Sequence, residues 1–194
     1  MYLKNRATHL ALSATKKNKK LLTNKIKRVI ITIELRKGIE KIMNKTLVFD
    51  MDGTIANLYG VENWLEMLHK ENPTPYLIAE PMYDMNELVT LLYEFKALGW
   101  RVVVTSWLAM GSTKAYDKRV RCAKRIWLEN YNFPFDEIHL VKYGTTKADC
   151  TRKLGGYQIL IDDNEKIRNG WNLGGTINAN ENIIEKLMEL LLIE

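Results

Sequence analysis

Cysteine is nearly absent from this chain: Cys122 and Cys150 are the only two in 194 residues. Two thiols cannot build a disulfide framework, which points to a reduced, cytoplasmic protein. Long apolar runs are missing as well. No stretch approaches the roughly 20 residues a membrane-spanning helix needs, so no membrane partner is expected. The basic N-terminus is not followed by the apolar segment of a signal peptide. No internal repeat is visible, and no acidic residue precedes Glu34. What is present is ordinary globular material, 46% apolar and 27% charged. Such a composition excludes wholesale disorder, and the length suits one domain with a real core.

The net charge of +6 is unevenly spread. Residues 1–45 carry 13 Lys/Arg against two acids, whereas residues 46–194 carry 16 against 21. The sequence therefore reads as a basic N-terminal extension over 1–42 and a mildly acidic domain over 43–194. Within the extension, apolar residues at Leu22, Ile26, Val29/Ile30, Ile33 and Ile42 suggest an imperfect amphipathic helix, while Ile31–Leu35 alternates like a strand. Three roles compete for it: an arm that contacts a polyanion, a targeting peptide, or a dispensable segment ahead of a domain that begins near Met43. The last is favoured. Against targeting, the segment is rich in Lys and Asn rather than Arg and Ser.

From Thr46 onward strands and helices alternate. Thr46–Asp50, Arg101–Thr105, Glu137–Val141 and Tyr157–Ile161 read as short buried strands, with a fifth over Thr176–Ala179. Helical spacing is expected around Val61–Lys70, over Asp84–Leu98 with Met85, Leu88, Leu91, Leu92, Phe95 and Leu98 on one face, over Ser112–Tyr131, and over Asn182–Ile193. Gly99 fits a helix C-cap. The alternation predicts an α/β fold, a Rossmann-like parallel sheet with helices on both faces.

In such folds ligands bind at the carboxyl ends of the strands. The first strand ends in Asp50-Met-Asp52-Gly-Thr54, the second in Thr105-Ser106, the fourth in Asp162-Asp163. If these strands are neighbours, several carboxylates and two hydroxyls meet on one edge. Like charges held that close raise one another's pKa unless a cation shares them. An all-oxygen set with carboxylates favours Mg²⁺. A calcium loop is excluded, because Gly53 is the fourth residue from Asp50 rather than the sixth, and the twelfth is Val61 rather than Glu.

Phe49-Asp50-Met51-Asp52-Gly53-Thr54, then Val102–Ser106, a lysine, and Ile159-Leu-Ile-Asp162-Asp163 resemble the haloacid dehalogenase superfamily of phosphohydrolases over about residues 46–179. For the lysine, Lys147 is the better candidate and Lys142 the alternative. A narrower similarity, to the 5′(3′)-deoxyribonucleotidase family, rests on Thr105-Ser106, Tyr116, Lys124, Trp127, Lys147-Ala-Asp, Leu160–Asp163 and Glu80-Pro81. That family carries a sizeable helical cap between its first two motifs. Here only about residues 55–83 are available, so the cap must be minimal.

The resemblance implies that Asp50 attacks phosphorus to give an aspartyl-phosphate and that Asp52 serves as general acid and then base. Thr105 and Lys147 would stabilise the phosphoryl group, and Gly53, Thr54 and Ser106 would line the phosphate site. Mg²⁺ would be held by Asp50, the Asp52 carbonyl and Asp162, with Asp163 orienting a bound water. Tyr59, Trp64, Trp107 and Trp171 follow the motif segments, and Tyr59 and Trp107 are candidate pocket residues able to stack a base. For Trp64 and Trp171, packing is an equal alternative. The function expected is a Mg²⁺-dependent phosphatase of a small phosphorylated substrate, a nucleotide. The alternatives are a phosphatase of nucleic-acid ends, such as a polynucleotide 3′-phosphate, or a non-catalytic binding protein on the same fold. The intact Asp50/Asp52 pair argues against the last.

Overall fold

The computed structural model describes residues 44–193. The basic extension, with its expected helix or strand, lies outside the described residues. The sheet has five parallel strands in the order β3-β2-β1-β4-β5. They are β1 (Lys45–Phe49), β2 (Arg101–Trp107), β3 (Glu137–Val141), β4 (Tyr157–Asp162) and β5 (Thr176–Asn178). β1 lies at the centre because its residues are apolar on both faces: Leu47, Val48 and Phe49 have no exposed surface. Such a run belongs in a sheet covered on both sides. Its register sets Val48 opposite Val103 of β2 and Leu160 of β4.

Helices cover both faces. On one, Leu47, Phe49, Val102, Val104, Ile159 and Ile161 pack against α3 (Met85–Ala97), the Trp127 end of α4 (Lys114–Asn130) and α7 (Ile183–Leu191). On the other, Val48, Val103 and Leu160 meet Ala148 of α5 (Lys147–Thr151), Ile167 of α6 (Glu165–Asn169) and Trp171. The expected α/β architecture is the one observed.

Local signals set the helix ends. Asp84 caps α3 by accepting from the Asn86 and Glu87 amides at 2.8 and 3.2 Å. Gly99, at a φ of +86°, takes the left-handed position that ends it. Leu98, expected on the buried face, falls beyond the last turn and is 58% exposed.

In the short segment between β1 and α3 the helix expected around 61–70 forms, but it is shorter than expected. The segment holds a single 3₁₀ turn (Leu58–Gly60), α1 (Trp64–His69) and α2 (Thr74–Ile78). Asn63, at a φ of +54°, interrupts the chain before α1. Glu71, at +53°, interrupts it again, and Pro75 stands in the first turn of α2. Leu58 and Tyr76 of this small cap pack on Tyr116, Val120 and Ala123 of α4. The cap is also pinned by polar contacts. Tyr116 Oη donates to the Asn72 carbonyl (3.0 Å), and the Thr113 amide and hydroxyl donate to the Glu71 carboxylate (3.0 and 2.9 Å).

Candidate active site

The parallel sheet brings the C-terminal ends of β1, β2 and β4 together, and the loop after β1 is wound tightly there. The amides of Thr54, Ile55 and Ala56 all reach the Met51 carbonyl, and the Gly53 amide donates to the Ala56 carbonyl at 2.8 Å. Gly53 has a φ of +78°, and a Cβ on it would lie 2.6 Å from the Tyr59 ring and 2.8 Å from the Asp163 carboxylate. Only glycine fits that position.

Asp50 directly follows β1, its amide donating to the Ile161 carbonyl of β4 (2.9 Å). One oxygen from each of Asp50, Asp162 and Asp163 falls within 4.8 Å of the others. Two of them share the Lys147 ammonium, whose Nζ lies 2.7 Å from Asp50 Oδ1 and 2.6 Å from Asp162 Oδ2. Lys142, the alternative, is exposed and lines a neighbouring groove. Burial, then the Asp50 charge, pushes Asp162 up to about 6 despite Lys147, and the same two causes raise Asp163. Burial pulls the Lys147 ammonium down, but Asp50 and Asp162 outweigh it and the net shift is upward. One ammonium thus leaves three clustered carboxylates under-compensated. A divalent cation with oxygen preference fits such a donor set.

Asp52 lies apart from that cluster. Its Oδ2 is 2.5 Å from Nζ of Lys124, a lysine on α4 with no exposed surface. The same ammonium donates to Ser106 Oγ and the Trp107 carbonyl, both at 2.8 Å, and sits 4.9 Å from the centre of the Tyr76 ring. Burial raises the Asp52 carboxyl, Lys124 opposes it, and Asp50 adds to the rise. The net shift is upward.

A cavity of about 490 Å³ opens over these groups. Asp50, Asp52, Ser106, Lys147, Asp162, Asp163, Tyr59 and Trp107 all line it. So do Trp64, Tyr76 and Tyr143, of which the sequence reading gave no role to Tyr76 and Tyr143. The aromatics form two pairs, Tyr59 with Trp64 (5.1 Å between ring centres) and Trp107 with Tyr143 (4.8 Å). Trp107 is fixed by its indole N–H on the Thr145 carbonyl (2.8 Å), and the Lys147 ammonium lies 5.5 Å from its ring centre. Burial, and then the nearby carboxylates, raises the Tyr59 phenol, and burial followed by Asp52 raises Tyr76, so both rings present neutral hydroxyls.

The three hydroxyls expected at the phosphate differ in their partners within the protein. The Thr54 hydroxyl is buried, accepts from the Asp163 amide (3.1 Å) and reaches Asp163 Oδ1 at 3.4 Å, so it ties the β1 loop to the β4 loop. The Ser106 hydroxyl accepts from Lys124. Thr105 is wholly buried, and its hydroxyl has no partner among the described residues. Trp171 packs against Val48 and Leu160 on the opposite face of the sheet, its indole N–H on the Gln158 carbonyl (3.2 Å). Lys124 stands in the sequence only among the residues of the deoxyribonucleotidase-like set, with no role of its own. Its signal was faint because its partner, Asp52, stands 72 positions earlier. Arg168 of α6 likewise grips the carbonyls of Asp162 and Asp163, at 2.8 and 2.7 Å.

No protein-family model and no curated protein matches the chain. Among solved structures it is similar to a chain of the Pnkp1/Rnl/Hen1 complex, with 17% identity and a TM-score of 0.48 over 69% of this chain and 45% of that one. It is also similar to D,D-heptose 1,7-bisphosphate phosphatase from Burkholderia thailandensis, with 12% identity and a TM-score of 0.42 over 76% of this chain and 99% of that one. The same phosphatase from B. bronchiseptica, complexed with magnesium and phosphate, gives 11% identity and 0.41 over 75% and 99%. The chain spans less than half the length of the first of these.

Proposed function

We propose that this protein is a Mg²⁺-dependent phosphomonoester hydrolase of the haloacid dehalogenase type, acting through an aspartyl-phosphate on Asp50, with a nucleotide as its substrate. One observation carries the reading: two carboxylates two residues apart in one loop have opposite surroundings. Asp50 faces Lys147 and two further acids, whereas Asp52 is held away from them on Lys124.

The chemistry follows from that division. Asp50 Oδ attacks phosphorus, a P–O bond forms to the carboxylate, and the bond to the leaving oxygen breaks. Asp52, whose environment raises its pKa, gives its proton to the leaving oxygen. It then takes a proton from the water that attacks the acyl-phosphate, releasing inorganic phosphate and restoring Asp50. Lys147 steadies the nucleophile and offsets phosphate charge. The unpartnered Thr105 hydroxyl is a donor available to a phosphoryl oxygen. Asp50, Asp162 and Asp163 would hold Mg²⁺, which when bound neutralises charge between phosphate and carboxylates.

The nucleotide reading rests on the cavity. Its volume is of the size small-ligand sites have, and two aromatic pairs flank it, offering flat faces to a planar base. The test is turnover of mononucleotides and sugar phosphates by the full-length chain, in Mg²⁺ and in EDTA. Mg²⁺-dependent hydrolysis with nucleotides preferred is expected, and Asp50→Asn should lower kcat by at least about a thousandfold while keeping the fold. Near-wild-type activity of Asp50→Asn would sink the assignment. Equal turnover of sugar phosphates would sink the nucleotide reading alone.

A further inference from the structure

The most uneven charge in the described domain is on α4. Its 17 residues hold six Lys/Arg against two acids, whereas the rest of residues 44–193 hold 11 against 18. Two of the six cations are committed, Lys124 to Asp52 and Arg119 to the Glu71 carbonyl (3.0 Å). The other four are Lys114, Lys118, Arg121 and Arg125, at spacings of four, three and four. Such spacing lines one face of a helix, and all four are exposed. Lys114, Lys118 and Arg125 form no ion pair among the described residues, although Arg125 lies over the Phe135 ring at 5.8 Å. Arg121 donates to the Leu140 carbonyl and keeps its charge uncompensated. Mixed signs are the ordinary pattern on a solvated helix face. Here the acids are Asp117 on the flank, which accepts from Ser112 Oγ, and Glu129 past the far end.

The stripe begins at the rim of the candidate active site. Met110, Gly111 and Ser112 line the 490 Å³ cavity, and Lys114 follows two residues later. A second groove of about 260 Å³ shares that loop and Tyr143, and adds Lys142. From Lys114 to Arg125 the helix advances about 16 Å at 1.5 Å per residue, roughly five phosphate steps of a stacked strand at about 3.4 Å each.

We infer that the substrate is the end of a single-stranded polynucleotide: the terminal nucleotide enters the cavity, and the phosphodiester backbone leaves over the rim and along α4. This rests on the phosphatase reading of the Asp50 site and names its substrate class. The cations supply sequence-independent attraction to phosphates, and the aromatic pairs supply a stacking platform, the combination single-strand binders use.

The experiment uses the full-length chain throughout, so that residues 1–42 are common to every arm. Binding is measured by fluorescence anisotropy with labelled 12-nucleotide strands, phosphorylated at the 5′ or the 3′ end, on Asp50→Asn protein. The comparison is the same protein carrying Lys114→Gln, Lys118→Gln and Arg125→Gln, with its thermal melt recorded to establish that it is folded. The triple substitution should weaken binding about tenfold or more at 0.1 M salt. It should also lower the slope of log affinity against log salt by about 2, at roughly 0.7 per phosphate contact on a single strand. In the active protein it should lower the ratio of kcat/KM for the oligonucleotide to that for a mononucleotide by a similar factor. The end hydrolysed faster identifies which terminus enters. Unchanged affinity and slope, or equal stripe-dependent binding of a phosphorylated acidic peptide, would overturn the inference. A protein that binds the strand through α4 but hydrolyses no ester would overturn the phosphatase reading, and the substrate assignment with it.

Discussion

A lysine ammonium without exposed surface needs neighbours that take the place of water. Lys124 has them in Asp52, Ser106 and Trp107, and in return it limits how far burial raises the Asp52 carboxyl. Replacing it with Met, of similar length, removes that limit. Asp52 should then hold its proton to higher pH, which leaves the donating step intact and impairs the step in which it must accept one. Lys124→Met should therefore accumulate phosphorylated protein, and the acid limb of its kcat profile should move to higher pH. Loss of activity without either sign would make Lys124 a packing residue. Asp162 offers a second pH test. Its folded pKa of about 6 exceeds the unfolded value of 3.8, so the folded state binds the extra proton. The stability this group contributes is present below about pH 4 and is lost as pH rises through 6. In EDTA, the melting temperature of Asp162→Asn relative to wild type should climb by several degrees as pH rises from about 4 to 6.5 and then level off. Saturating Mg²⁺ should narrow that difference by stabilising the wild type.

The elements that could be read from sequence are those whose pattern is decided by the sheet. β3 keeps its expected bounds, Glu137–Val141, and β1, β2, β4, β5, α3, α4 and α7 lie within two residues of expectation. Each buries a face, and burial imposes period 2 or 3.6 on the residues that supply it. In the small cap a helix around 61–70 was legible, but neither its bounds nor α2 was. α1 buries none of its residues, so no burial pattern marked its ends, and two non-glycine residues with positive φ break the chain around it. α5 and α6, five residues each, are too short to carry a period. The candidate site divides in the same way. The acids and Lys147 stand at strand ends or just after them, where topology alone gathers them. The hydroxyls of Thr54 and Ser106 could serve either phosphate or protein, and only the fold shows both engaged by protein groups. Gly53 is where loop and site meet. Gly53→Ala would force the left-handed backbone on alanine and press a methyl group into Tyr59 and Asp163. A loss of about 1–3 kcal/mol is expected from the backbone conformation alone. A lower melting temperature together with a raised Mg²⁺ requirement would show that the damage reaches Asp163, whereas a melting change alone would confine it to the loop.

At the scale of the whole chain, charge and core separate along the sequence. The strand at the centre of the sheet is β1, and both its neighbours, β2 and β4, come from later in the chain. Residue 44 is already engaged, since the Asn44 carbonyl accepts from the Tyr157 amide at 2.9 Å. The sheet, both layers of helices and every group of the candidate site thus lie within residues 44–193. Residues 1–43 carry 12 Lys/Arg against two acids, whereas the rest of the chain carries 17 against 21, so the net positive charge lies ahead of the domain. A chain beginning at Met43 should therefore fold, melt within a few degrees of the full-length protein and hydrolyse a mononucleotide at a similar rate. Its affinity for a polynucleotide should fall, and the fall should shrink as salt is raised, because exposed cations act through counterion release. The stripe on α4 should still be detectable, as a salt slope that the Lys114, Lys118 and Arg125 substitutions lower further. Insolubility, or a melting temperature lower by ten degrees or more, would mean that residues 1–42 supply apolar surface the domain needs. At about 2–4 °C per kcal/mol for a chain of this length, ten degrees corresponds to about 3–5 kcal/mol. Burying two or three large apolar side chains contributes that much, and the apolar positions from Leu22 to Ile33 are the ones able to provide it.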